Sequence, residues 1–227
     1  MTTKTVNIGV LSPPAFLPAR IRNISRPLQS QQVQEEGRST GTGSKYAEFK
    51  CNGEGFMREA GKFNGRNSAR MADALSDARD EFFRAKKEAS DGMETAIICF
   101  KIADADAGIA MIMDSGIRGF LKSGKTVGMD VPHVLNELYM VLREATRNFG
   151  EAVEICKSGQ LEIELDRVEV VLKKIETAAE SARKVYEAHY EKGVNGVALY
   201  REIGEMATLC REKFGKLKSA LLAPDYS

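Results

Sequence analysis

Two stretches of this chain place chemistry-bearing residues at informative spacing. The first is Gly119-Phe120-Leu121-Lys122-Ser123-Gly124-Lys125-Thr126, which satisfies the phosphate-loop pattern at every required position. In such a loop backbone N–H groups cradle phosphates, and the lysine neutralises them. The chemistry needs a strand running into the first glycine and a helix N-terminus that meets the phosphates. The lead-in here, Met113-Asp114-Ser115-Gly116-Ile117-Arg118, has no strand pattern, and Gly128 and Pro132 interrupt the residues after Thr126. The segment from Ser115 to Asp130 therefore reads as a Gly-rich connector between helices. A nucleotide-dependent enzyme using Gly119–Thr126 is the alternative reading.

The second stretch surrounds Cys51, in Tyr46-Ala47-Glu48-Phe49-Lys50-Cys51-Asn52-Gly53-Glu54-Gly55-Phe56. A structural cysteine normally sits in an apolar stripe. This one lies in a polar, Gly-rich, aromatic-flanked setting beside Lys50. A covalent ligand is more plausible there than at Cys99, Cys156 or Cys210, which fall on or beside helical core stripes. No two cysteines are close in sequence, so no zinc-ligand spacing exists. His133 and His189 are isolated from each other and from any Glu-x-x-His pair, so they form neither a metal centre nor a triad. The Glu-rich stretches, with Glu151, Glu154, Glu162, Glu164 and Glu169 among Lys and Arg, read as solvated helix faces. On these grounds the chain is expected not to be an enzyme.

The elements that carry these residues are helical. Leu161, Leu165, Val168, Leu172, Ile175, Ala179, Ala182, Tyr186 and His189 repeat with alternating spacing of four and three. That is the seam of a helix packed lengthwise on others. Met71, Leu75, Ala78, Phe82 and Ala85 give an earlier stripe, capped by Asn67 or Ser68. From Met93 to Phe120 apolar residues lie nearly all round, which marks the most deeply wrapped helix. Leu138, Leu142, Ala145, Phe149, Ala152 and Cys156 form another stripe, and Leu199, Ile203, Met206, Cys210, Leu217 and Leu221 the last. No strand pattern and no tandem repeat is present. The expected fold is all-α, an antiparallel bundle of four to five long helices over residues 65–227. The heptads are expected to be an internal wall of that bundle.

Residues 1–64 read differently, as an extended, mostly irregular arm. Four of the six prolines fall there, at Pro13, Pro14, Pro18 and Pro27. Up to position 65 there are nine Lys and Arg against five Asp and Glu, whereas the remainder has 24 against 27. An arm docking on partner subunits through Phe16, Leu17, Arg20, Arg22 and Arg26 fits this composition, and an unstructured tail fits it equally. The overall charge of +1 gives no general argument for nucleic acid or membrane. Four basic residues in the first thirty make a nucleic-acid or capsid protein a weaker alternative. No apolar run approaches the ~20 residues of a membrane span, and the start lacks a secretory pattern.

Cys51-Asn52-Gly53-Glu54-Gly55-Phe56, followed by the Ala/Arg-rich segment Arg66 to Lys87, resembles parts of red-algal phycobilisome γ-type linker proteins. That resemblance spans residues 51–87. It implies a linker seated among phycobiliproteins in a light-harvesting antenna, with a bilin attached at Cys51. It also implies a place in the plastid stroma or cytoplasm, peripheral to the thylakoid membrane. A Pro-rich arm ahead of a helical bundle is similar in layout to extrinsic photosystem II bundle subunits.

Overall fold

The structure is a computed structural model and describes residues 44–63, 67–123, 130–159, 164–189 and 194–222. These residues form six α-helices and no strand. They are α1 (Lys45–Lys62), α2 (Ser68–Glu88), α3 (Gly92–Lys122), α4 (Val131–Gly159), α5 (Leu165–His189) and α6 (Val194–Leu222). The all-α bundle expected from the periodicity is the observed fold. None of these helices is long and apolar enough to cross a membrane.

Local chemistry sets most boundaries. Ser44 caps α1 by accepting the Ala47 N–H, and Asn67 caps α2 by accepting the Arg70 N–H. Between α2 and α3 the chain turns within Ala89–Asp91. Asp91 Oδ1 accepts the Glu94 N–H at 2.8 Å, and the Glu94 carboxylate reaches back to the Ser90 N–H at 2.7 Å. The pair satisfies the Glu94 N–H, which the first helical turn leaves without a partner, and the Ser90 N–H just ahead of the helix. Asp130 Oδ1 accepts the His133 N–H at the start of α4.

Two boundaries differ from the sequence reading. Residues 45–62 are helical, so the stretch expected to be extended through position 64 ends in a helix. Gly53 reads locally as a helix breaker, but here it gives the Phe82 ring of α2 room to lie directly on the α1 backbone. Burial of Phe82, which is fully inaccessible, outweighs the weak propensity of the glycine. Likewise α3 continues to Lys122, through residues expected to be connector. Ile117 and Phe120 are buried and hold its last turns on the core, while Gly116 and Gly119 lie over open space.

Sequential helices run antiparallel. The spatial order adds a feature that the sequence does not show. α3 packs on α4, α4 on α6, α6 on α5, and α5 back on α3. Contacts give the directions. Phe100 meets Phe149 and Gly92 approaches Ile155, so α3 and α4 are antiparallel. Asp104 meets Lys174 and Asp114 meets Ser181, so α3 and α5 run parallel. Leu135 meets Tyr200 and Thr146 meets Cys210, so α4 and α6 are parallel too. The α1–α2 hairpin lies outside this four-helix ring, against α3.

The larger of two apolar clusters runs through the interior of the ring. Phe149 of α4 is fully buried and makes edge-to-face contacts with Phe100 of α3 at 5.5 Å and Phe214 of α6 at 6.4 Å. The heptad positions Val168, Leu172, Ile175, Ala179 and Ala182 are buried, with Leu165 and Tyr186 packed at the margin. Leu161 and the His189 side chain lie outside the described residues. Val171, Ala178 and Val185 are buried as well, which widens the seam enough to face more than one helix. The seam is thus an internal wall. Helix α3, apolar on most faces, packs against α2, α4 and α5.

Candidate functional site

Cys51 stands exposed on α1. It lies two residues before Gly53, about 200° around the helix at 100° per residue, so it faces away from α2. Its neighbours are tied to the hairpin rather than to the thiol. Asn52 Nδ2 donates to Glu81 Oε2 at 3.5 Å, Glu54 pairs with Lys101 at 2.9 Å, and Lys50 lies over the Tyr46 ring at 5.8 Å. Gly55 on the same side leaves the surface open. Cys99, Cys156 and Cys210 are buried. Burial pushes the Cys99 and Cys210 thiols up to about 11, so each stays protonated.

The docking residues expected in the arm, Phe16, Leu17, Arg20, Arg22 and Arg26, lie outside the described residues. The phosphate-loop match divides. Gly119–Lys122 form the last turn of α3, Ser123 closes it by donating its N–H to the Gly119 and Phe120 carbonyls, and Gly124–Thr126 lie outside the described residues. A phosphate loop needs its first glycine after a strand and its amides at a helix N-terminus. The first glycine here is followed by a helix C-terminus, where carbonyls collect and the dipole is negative.

Several polar sites were not anticipated from the sequence. The acidic residues inside the apolar α3 were the available signal, because Asp is rarely buried without a partner. Asp104 pairs with Lys174 of α5 at 2.7 Å. Asp114 accepts from Ser181 at 2.9 Å and pairs with Arg118 at 2.8 Å, and burial raises its carboxyl above the usual range. Asp106 is fully buried, with Oδ1 2.7 Å from Arg79 Nε. That approach lacks hydrogen-bond alignment, so charge alone joins the pair. Burial raises Asp106 to about 7 in spite of the Arg79 guanidinium. Lys86 of α2 reaches Asn148 and Glu151 of α4 and lies against the Cys99 thiol.

At the far end of the ring, Tyr200 donates to the Leu135 carbonyl and packs beside Tyr139 and Tyr186, while Tyr139 donates to Glu202. His133 pairs with the buried Glu137. Glu154, Glu169 and Glu176 pair with Lys213, Lys218 and Arg211. These bonds link neighbouring helices. Being exposed, they set register more than they add stability.

An open groove of about 260 Å³ between α1 and α2 is lined by Glu59, Phe63, Arg70, Asp73, Ala74 and Asp77. Arg70 stacks on Phe63 at its edge. The buried polar groups described above lie elsewhere, inside helix–helix contacts. No family model, curated protein or solved structure matches the chain, so function has to be read from its own residues.

Proposed function

We propose that the chain is a non-catalytic linker or scaffold of a larger assembly, with a light-harvesting antenna as the setting. In this reading the bundle supplies a rigid body. The basic segment ahead of α1 docks on partner subunits, phycobiliproteins in the antenna setting, through Phe16, Leu17, Arg20, Arg22 and Arg26. Cys51 is the attachment point for a bilin. One observation carries the reading: Cys51 is exposed on the outer face of the hairpin, while the other three cysteines are buried in the core. A thiol placed this way can hold a bulky group without disturbing packing.

The test is the visible absorption spectrum of the natively purified protein before and after denaturation, together with the proteins that co-purify. A bilin band that persists in denaturant and is lost in Cys51→Ser supports the antenna setting. A colourless chain that still co-purifies with stoichiometric partners leaves the scaffold reading without the pigment. A colourless, monodisperse monomer with no partner overturns both.

A further inference from the structure

The six helices form two packing units. Helices α3–α6 close a ring with its own interior, and the α1–α2 hairpin lies on the outside of α3. Part of this contact is a separate apolar cluster of Tyr46, Ala78, Phe82, Ala85, Ile98 and Ile102. Nearer the middle Leu75 joins the main core over Gly108. Between them the contact is polar and incompletely satisfied. Asp106 of α3 is sealed under α2, and neither carboxylate oxygen accepts a hydrogen bond. Ser76 Oγ, one turn before Arg79 on α2, is buried without a partner as well. A charged carboxylate in such a place is far more costly than a neutral one, even beside a guanidinium.

We propose that the α1–α2 hairpin is a detachable flap on the α3–α6 ring, latched at Asp106 and Arg79 and loosened when Asp106 carries its charge. The flap does not depend on the scaffold reading. The groups facing Asp106 are Arg79 and Asp80 from α2, and Glu144 and Arg147 from α4. The two arginines favour the carboxylate, and the two acids oppose it. Burial is the largest effect and holds the closed-state value at about 7. With the flap open, Asp106 meets water and titrates in the ordinary carboxylate range. An acid whose closed-state value is raised binds its proton more tightly when closed. Closure is therefore strongest below the ordinary range. It weakens by up to about tenfold per pH unit as pH rises towards 7, and then levels off.

Two cysteines separate flap opening from opening of the ring. Cys99 is buried against Lys86 of the flap. Cys210 is buried between α4 and α6, with Sγ 3.7 Å from the Thr146 carbonyl. The full chain is treated with N-ethylmaleimide from about pH 5.5 to about pH 8, and labelling at each thiol is read by peptide mass spectrometry. Dividing wild-type rates by those of Asp106→Asn at the same pH cancels the pH dependence of the reagent. The Cys99 ratio should rise at least about tenfold across the range, and the Cys210 ratio should stay flat. A flat Cys99 ratio, or Cys99 labelling at the Cys210 rate at every pH, overturns the flap. Should Asp106→Asn not fold, hydrogen exchange of the wild-type chain decides. Protection corrected for intrinsic exchange should fall with pH in α2 and hold in α6, and equal loss in both overturns the proposal.

Discussion

Replacing Gly53 with alanine should break the closest contact between α1 and α2. A Cβ at this position would lie 2.4 Å from Phe82 Cε1, 2.6 Å from Cδ1 and 2.9 Å from Cζ. Carbon atoms rest at about 3.5 to 4.0 Å, so the ring and the α1 backbone must separate by about 1 Å. The ring cannot simply retreat, because Phe82 is fully buried in a cluster with Tyr46, Ile98 and Ile102. Alanine gains about 1 kcal/mol in a helix over glycine, while overpacking typically costs about 1–3 kcal/mol. Loosening Phe82 adds part of the roughly 3–5 kcal/mol that deleting a buried ring costs. The net expectation is a loss of about 1–2 kcal/mol, read as a lower urea midpoint with an unchanged slope. Gly55→Ala is the control in the same helix, since its new Cβ meets only the tip of Arg58 at 4.0 Å. It should gain about 0.5–1 kcal/mol. Adding Phe82→Leu to Gly53→Ala should recover at least about 1 kcal/mol relative to the summed single variants. A Gly53→Ala protein as stable as the wild type, or more stable, would refute the close-packing argument and with it the explanation for α1.

Gly204→Ala in α6 places its methyl in open space and should stabilise the chain by about 0.5–1 kcal/mol in the same denaturation assay. Asp91→Ala removes the side-chain acceptor for the Glu94 N–H and should cost about 1 kcal/mol, measured as a lower thermal midpoint. Phe149→Ala empties the ring contacts shared by α3, α4 and α6, and a loss of about 3–5 kcal/mol is expected in urea. Ellman's reagent should titrate Cys51 at once in the native protein, and Cys156 and Cys210 only after denaturant is added. Rapid reaction of more than two thiols in the native state would contradict the burial of Cys156 and Cys210.

The helical periods were legible because each reports its own apolar face. The stripe from Met71 to Ala85, the all-round apolar α3 and the heptads of α5 each appear as helices where their spacing places them. Helix α1 was missed because its apolar residues are interrupted by glycines, and glycine is read locally as a breaker. What holds it helical is Phe82, twenty-nine residues further on. The same local bias shortened α3, since Gly116 and Gly119 resemble connector residues while Ile117 and Phe120 hold the helix on the core. Asp106 was visible only as an acid within an apolar run. Its role depends on Arg79, and nothing in the spacing of the two residues pairs them.

The sequence by itself determined that the bundle is all-helical, which faces are apolar, and that three of its cysteines belong to those faces. It also ruled out close cysteine pairs of metal-ligand spacing, a property of composition and order alone. Tertiary structure decided that α5 runs beside α3 in the same direction, and that the hairpin lies outside the ring. It also decided that Cys51 is exposed and that Asp106 is sealed against a guanidinium. The physical reason is one of range. Periodicity and capping act within a few residues of the chain. Burial, close approach and charge pairing act through space, between residues whose separation in sequence carries no trace of their contact.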